Sequence, residues 1–328
     1  MSNPKILSEY HFEQAPIISV LLPVYNGGEY LKKSLQSVLA QNFLNFELLI
    51  IEDCSTDKSL EYLQSIKDSR ITLFENKTNR GLFYNLNFLI EKANTSLLKL
   101  WAQDDIMYPE CLGSFVEFHR INPDIGFSYS GRDIIDENGD IIEINKIDNT
   151  PTIISTALHA RIAYYTGSIA GNIANVCINR NALNEVGLFK EHMKISADFD
   201  MWVRLAKDHN TGFIREKLIQ LRDHDKQLSR NEKYYINHVR EDLEVYRYLD
   251  NYVTPEQKNE GHKLMRNNKL LFYCTLMFKS FLKGEFLLAF KYYQLLANYE
   301  NFLMLIFAFT KTKIMGKKEP DFKILINE

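Results

Sequence analysis

The chain has 328 residues, with 39 basic against 42 acidic side chains and a formal net charge of −3. Hydrophobic residues make up 45% and charged ones 25%, which excludes disordered, collagen-like and low-complexity chains and suits one large domain with a smaller appendage. The four cysteines stand far apart with no Cys-x-x-Cys pair, so no zinc ribbon or disulfide framework is expected and a reducing compartment fits better.

The opening residues lack the apolar core of a signal peptide. The run Ile17 to Leu22 reads as a buried strand that Pro23 ends. Gly27-Gly28 breaks the chain, and Tyr30, Leu31, Leu35, Val38 and Leu39 then recur at helical spacing. A second strand, Phe46 to Ile51, runs into Glu52-Asp53. After a helix carrying Leu60, Leu63 and Ile66 comes a third strand, Ile71 to Phe74. Asn79-Arg80-Gly81 turns the chain into a helix with Leu82, Leu86, Leu89 and Ile90. A fourth strand, Leu97 to Ala102, ends at Asp104-Asp105. Strands alternating with helices predict βαβ units and a parallel sheet, whose ligands sit at the carboxyl ends of the strands. Tyr25-Asn26, Asp53 and Asp104-Asp105 all fall at such ends.

Beyond them, Asp136 to Asp140 reads as a hairpin turn around Asn-Gly. Residues 151–185 mix helix and strand with several glycines and suit an acceptor pocket. Ser196 to Leu205 has helical periodicity, Leu221 to Arg230 is polar, and the chain from about Asn231 reads as helical. The longest apolar run, Phe302 to Phe309, is eight residues, too short to span a bilayer. From Lys263 to Lys318 ten basic residues meet only Glu285 and Glu300, giving +8 there and −11 elsewhere. This basic, aromatic stretch fits either an anionic membrane face or a helical subdomain that solvates its lysines.

No dinucleotide glycine motif, phosphate-binding P-loop, Gly-x-Ser-x-Gly elbow or His-Glu-x-x-His pair is present. Asp104-Asp105 either holds Mg²⁺ or Mn²⁺, which prefer oxygen ligands, or forms an ordinary strand-to-loop turn.

Taken together, Ile18 to Asn26, Ser34 to Gln41 and Glu47 to Asp57 strongly resemble the inverting family 2 glycosyltransferases of the GT-A fold. Asn79-Arg80-Gly81, Asn87, Asp104-Asp105, Gly187-Leu188-Phe189 and Asp198 to Arg204 continue the resemblance in order, over about residues 16–230. It implies an α/β fold, a Rossmann-like, mostly parallel sheet with flanking helices, followed by a C-terminal helical extension. The catalytic domain is expected over 1–230, with nucleotide-sugar binding in about 16–106 and acceptor binding in about 107–230. Residues 231–328 are expected to form the helical region, which is to contact a membrane or a partner.

The same resemblance implies the site. Pro23, Tyr25 and Asn26 line the nucleobase pocket, with Tyr25 stacking on the base. Asp53 accepts the imide N–H of uracil or thymine, Glu52 standing where an aspartate is common, and Arg80 and Asp104 add nucleotide contacts. With Gln103 in place of the first acid of the family's Asp-x-Asp motif, Asp105 and His224 are the expected ligands of a divalent cofactor, Mn²⁺ or Mg²⁺. Asp198 is the expected general base, although Ala197 replaces the usual neighbouring Glu, and Asp200 is the second candidate. Trp202 reads as core and Arg204 as an ion-pair partner, while Lys226, Ser229 and Arg230 either reach phosphate oxygens or form a solvated loop. The implied partners are a nucleotide-sugar donor, a UDP-sugar favoured, and a glycan acceptor, lipid-linked as in bacterial polysaccharide assembly. The basic 263–318 stretch suggests a cytoplasmic, peripheral membrane location, and no nucleic-acid partner is expected. Direct transfer to polyprenyl phosphate and a non-catalytic nucleotide-sugar-binding scaffold are the rival readings.

Overall fold

The computed structural model describes residues 15–144, 150–225, 227 and 230–315. The alternation read from the sequence is there: β1 (Ile18–Val24) leads to α1 (Gly28–Leu39), β2 (Phe46–Glu52) to α2 (Ser59–Ser65), and β3 (Ile71–Glu75) to α3 (Leu82–Lys92). β4 (Leu97–Leu100) completes a parallel block in the order β3-β2-β1-β4. Pro23 does not end β1; it pairs with Ile51 inside it. β4 pairs only with Ile18–Leu21, and Trp101 N–H closes that ladder on Leu21 O, so the ring nitrogen of Pro23 faces a side where no donor is needed.

The second half of the sheet was less legible. It runs β5 (Ile106–Met107), α4 (Cys111–Ile121), β6 (Ile125–Ile135), β7 (Ile141–Ile144), β8 (Ile153–Ile154), α5 (Thr156–Thr166), β9 (Val176–Asn179), α6 (Arg180–Val186), α7 (Ala197–Asp208) and β10 (Asn210–Arg222). Among the described residues these join the parallel block in one ten-stranded mixed sheet, β3-β2-β1-β4-β9-β6-β10-β5, with β7 on β6 and β8 on β10. Asp136 turns the expected hairpin, its Oδ1 accepting N–H groups from Asn138, Gly139 and Asp140. One face of β1 and β2 (Ile18, Val20, Leu22, Phe46, Leu48, Ile50) buries against Leu31, Leu35 and Val38 of α1 and Phe115 of α4. Leu21, Leu49 and Ile51 point the other way, where α3 packs on β1 and β2.

The chain divides into two compact units, one of residues 1–156 with 170–227, the other of 157–169 with 228–328. Residues 157–169 group with the C-terminal helices and not with the strands on either side of them in the sequence. The same unit holds α8 (Tyr235–Leu249), α9 (Pro255–Met265), α10 (Leu271–Leu282), α11 (Phe286–Ala297) and α12 (Phe302–Met315). The reason is aromatic packing. Tyr164 sits edge-on to Tyr246 at 5.9 Å, its hydroxyl donates to Asp250 at 2.5 Å, and Tyr165 donates to Glu260 at 2.8 Å. Gly261 makes room for them, since a Cβ there would lie 2.2 Å from Tyr164. Gly261→Ala should therefore destabilise the chain by about 1–3 kcal/mol through overpacking, read as a lower denaturation midpoint. A midpoint equal to wild type would show that the tyrosine contact does not hold α5.

A second prediction concerns pH. Burial on α4 pushes the His119 imidazole from 6.5 down to about 4, with Nε2 2.9 Å from Ser128 Oγ. The unfolded chain takes up a proton there below pH 6.5, whereas the folded chain resists until about pH 4. Stability from this group is thus present above pH 6.5 and lost as pH falls toward 4, a loss of about 3 kcal/mol. His119→Gln should flatten the fall of the urea midpoint on acidification; an unchanged fall would place its source elsewhere.

Candidate active site

The strand order reverses at β1, which has β2 on one side and β4 on the other, so a crevice opens at their carboxyl ends. Tyr25 stands there 45% exposed. Its backbone is pinned by Gln103, whose Oε1 accepts from Tyr25 N–H and whose Nε2 donates to Tyr25 O, both at 2.9 Å. Gln103, which reads in the sequence as a missing acid, is thus the clamp between the ends of β1 and β4. Asn26 adopts φ +49° and spends its side-chain oxygen on Thr56 N–H at 2.8 Å, tying the loop after β1 to the loop after β2. Glu52 keeps the acid at its position by accepting from Cys54 and Ser55 N–H, where Cys54 has φ +60°.

Asp53 is buried. Its Oδ1 accepts from Asn76 Nδ2 and Arg80 N–H, and its Oδ2 from Gly81 N–H, at 2.7 to 2.9 Å. Three of about four lone-pair positions are used, so the carboxylate first of all holds the turn at residues 79–81. That turn leaves the Arg80 guanidinium exposed, 4.0 Å above the Tyr84 ring.

The aspartate pair is divided by burial. Asp105 is 1% exposed; its Oδ1 accepts from Arg222 N–H at 2.9 Å and its Oδ2 has no hydrogen-bond partner. Burial first, and then the neighbouring Asp104 charge, hold its carboxyl well above the usual carboxylate range. Asp104 is more exposed, and its Oδ2 lies 3.0 Å from His224 Nε2. The sequence reading joined His224 to Asp105, but its carboxylate partner is Asp104, because burial has turned Asp105 into the sheet. Asp104 and His224 are the two residues that fit a divalent ion here. Two protein donors of this kind suit Mg²⁺ or Mn²⁺ sharing its shell with phosphates and water, and the described residues form no cluster of three or more His, Cys, Asp or Glu donors.

Arg222, two residues before His224, is the residue that sequence reasoning missed. It is buried; Nε donates to Asp104 O at 3.0 Å, Nη1 to Asp136 O at 2.7 Å and Glu137 O at 3.1 Å, and the guanidinium lies 4.6 Å over the Tyr30 ring. Tyr30 in turn faces the His224 ring at 5.1 Å. Lys99, hidden within β4, was equally silent: its Nζ donates to the carbonyls of Ala174 and Leu100, and burial lowers its pKa.

Asp198 lies half-buried in the first turn of α7, with its Oδ1 2.7 Å from Phe199 N–H. α7 packs on β6 through Trp202, stacked 5.2 Å from Phe127, and delivers the chain at Asn210 to the start of β10. Asp200 is no second candidate base: it is buried in ion pairs with Lys190 and Arg204, both at 2.7 Å. Arg204 also donates to the carbonyls of Val186, Gly187 and Leu188, and the Asn87 amide is paired with the Phe189 backbone. These motif residues fix the loop that leads into Asp198, and Trp202 is core, as its periodicity implied. Lys226 and Ser229 lie outside the described residues.

Residues 19–187 match the family described as Glycosyl transferase family 2. A Rickettsia felis protein described as an uncharacterised glycosyltransferase is 27% identical over 217 residues, 66% of this chain and 35% of the relative, so the chain spans about a third of that protein. A Haemophilus influenzae protein of the same description is 24% identical over 263 residues, 71% of this chain and 78% of the relative. Among solved structures, S. aureus TarS in complex with UDP-GlcNAc superposes with a TM-score of 0.59 at 19% identity, over 72% of this chain and 66% of that one. With the family match covering more than half of its length, the chain belongs to glycosyltransferase family 2 and has the GT-A fold.

Proposed function

We propose that this protein is an inverting glycosyltransferase that moves a sugar from a uridine diphosphate donor to a hydroxyl of a growing cell-surface glycan. The observation that carries the reading is the gathering of an exposed Tyr25, a buried Asp53 and the Asp104–His224 pair at the crevice between β1 and β4. Similarity of fold to a protein that holds UDP-GlcNAc supports uridine as the base.

Tyr25 stacks on the base, Pro23 and the Asn26 loop bound its pocket, and the remaining Oδ2 lone pair of Asp53 accepts the imide N–H. Asp104 and His224 hold Mn²⁺ or Mg²⁺, which supplies positive charge against the diphosphate. The exposed Arg80 guanidinium reaches phosphate. Asp198 takes the proton of the acceptor hydroxyl as that oxygen bonds to the anomeric carbon from the face opposite the leaving diphosphate. The bond to the diphosphate oxygen breaks with its electron pair, and the configuration inverts. The acceptor is a glycan carried on a lipid at the cytoplasmic face of the membrane.

Two experiments test this. UDP should raise the denaturation temperature more with Mn²⁺ than without. Asp104→Ala should abolish the metal-dependent part, and Asp105→Asn should retain it. The reverse pattern would return the ligand role to Asp105, and no shift with UDP, GDP, CMP or dTDP would remove the donor reading. Separately, Asp198→Asn should bind UDP as wild type does while losing about 10²- to 10⁴-fold in transfer rate. Unchanged transfer would mean that the base is another residue.

A further inference from the structure

α10 and α11 meet at a tip where every residue from Phe281 to Leu287 is exposed. Leu282 is 84% exposed, Leu287 71%, Phe286 62% and Phe281 57%, and Gly284 turns the chain with φ +79°. The rings of Phe281 and Phe286 touch edge-on at 5.3 Å. The apolar surface continues along α11 through Phe290 and Tyr293, stacked at 6.0 Å, and on to Phe302, 4.7 Å from Tyr293. Ala289, Tyr292 and Leu296 already bury the opposite face of α11. The helix therefore has two apolar faces, and only one of them is covered. A contiguous uncovered patch of this kind marks an interaction surface.

Charge identifies what covers it. Lys279, Lys283 and Lys291 border the patch, and Glu285 is the acid at the tip. Lys279 and Lys283 share one carboxylate, Glu232, at 2.8 and 3.5 Å, so that group keeps a positive charge. Other cations of the basic stretch serve the fold, Arg266 bound to Glu300 and Lys269 to Asp242, each at 2.7 Å. Large apolar side chains rimmed by lysines fit a bilayer with anionic headgroups, the rings entering the acyl boundary and the ammonium groups meeting phosphates. α10 and α11 have 12 residues each, and no helix among the described residues is long and apolar enough to cross a membrane.

We infer that the α10–α11 tip, with Phe281, Leu282, Phe286 and Leu287 as its inserting side chains, docks this protein on an anionic lipid surface. The tip, rather than the basic 263–318 stretch as a whole, is the contact. The inference rests on the reading of a lipid-carried acceptor, and the two are separable because vesicle binding needs neither donor nor acceptor.

The test is co-sedimentation of the full chain with phosphatidylglycerol–phosphatidylcholine vesicles at low and high salt. Wild type should bind, and high salt should weaken but not abolish binding, since screening acts on the lysines and not on insertion. Phe286→Ser combined with Leu287→Ser should lose at least about tenfold in vesicle affinity while its UDP-induced thermal shift and its own melting temperature stay at wild-type values. Wild type that stays in the supernatant, or a double variant that binds as wild type does, overturns the inference. So does a wild-type dimer that the double variant makes monomeric with no vesicle binding in either, which would give the surface to a second copy of the chain. Vesicle binding without transfer to any lipid-linked acceptor would fell the acceptor reading and support the docking surface.

Discussion

A buried guanidinium at the end of β10 is the interaction on which the candidate site depends. Two adjacent carboxylates repel, and Arg222 sits where their repulsion has to be absorbed. Its side chain holds the Asp104 backbone and the turn at Asp136–Glu137, and its N–H serves the Asp105 carboxylate. Burial then separates the pair, raising the Asp105 pKa and leaving Asp104 toward solvent beside His224. One acid is tied to the sheet and the other stands nearer solvent. Removing the guanidinium would leave the carbonyls of Asp104, Asp136 and Glu137 without their donor, a loss of about 1–3 kcal/mol for each group left buried and unpaired.

Around that centre, polar side chains that resemble ligands hold loops in place. Gln103 clamps Tyr25, Asn26 ties its loop to Thr56, Asp53 gathers the turn before α3, and Asn87 with Arg204 fixes the segment before α7. Each satisfies backbone groups that no sheet or helix ladder reaches, which is a general requirement where loops converge. The loops at the strand ends are thereby pre-set, so that Tyr25, Arg80 and Asp198 stand on a fixed frame.

The C-terminal unit follows a different logic. Its interior is built on tyrosines bonded to acids, Tyr164 to Asp250, Tyr165 to Glu260 and Tyr273 to Asp242, and on a glycine that lets the rings approach. Its outside keeps a row of phenylalanines and leucines uncovered. A helix with two apolar faces needs an apolar neighbour on each, and among the described residues Phe286, Leu287 and Phe290 of α11 stay exposed.

The sequence by itself determined the parallel half of the sheet, because strands buried on both faces read as continuous apolar runs and their helices as periodic ones. It also determined the family, through ordered motifs at the strand ends, and the helical character of the C-terminal region. Tertiary structure alone decided which motif residues are buried or paired and which stay exposed. Asp104 and Asp105 are neighbours of identical chemistry, and only the packing of β10 against β5 buries one and exposes the other. Asp198 and Asp200 are separated likewise, by Lys190 and Arg204 arriving at one of them. Nor was the grouping of residues 157–169 with the last helices legible, since local periodicity carries no information about contacts made about a hundred residues away. Burial and ion pairing are properties of groups brought together by folding, and no spacing along the chain encodes them.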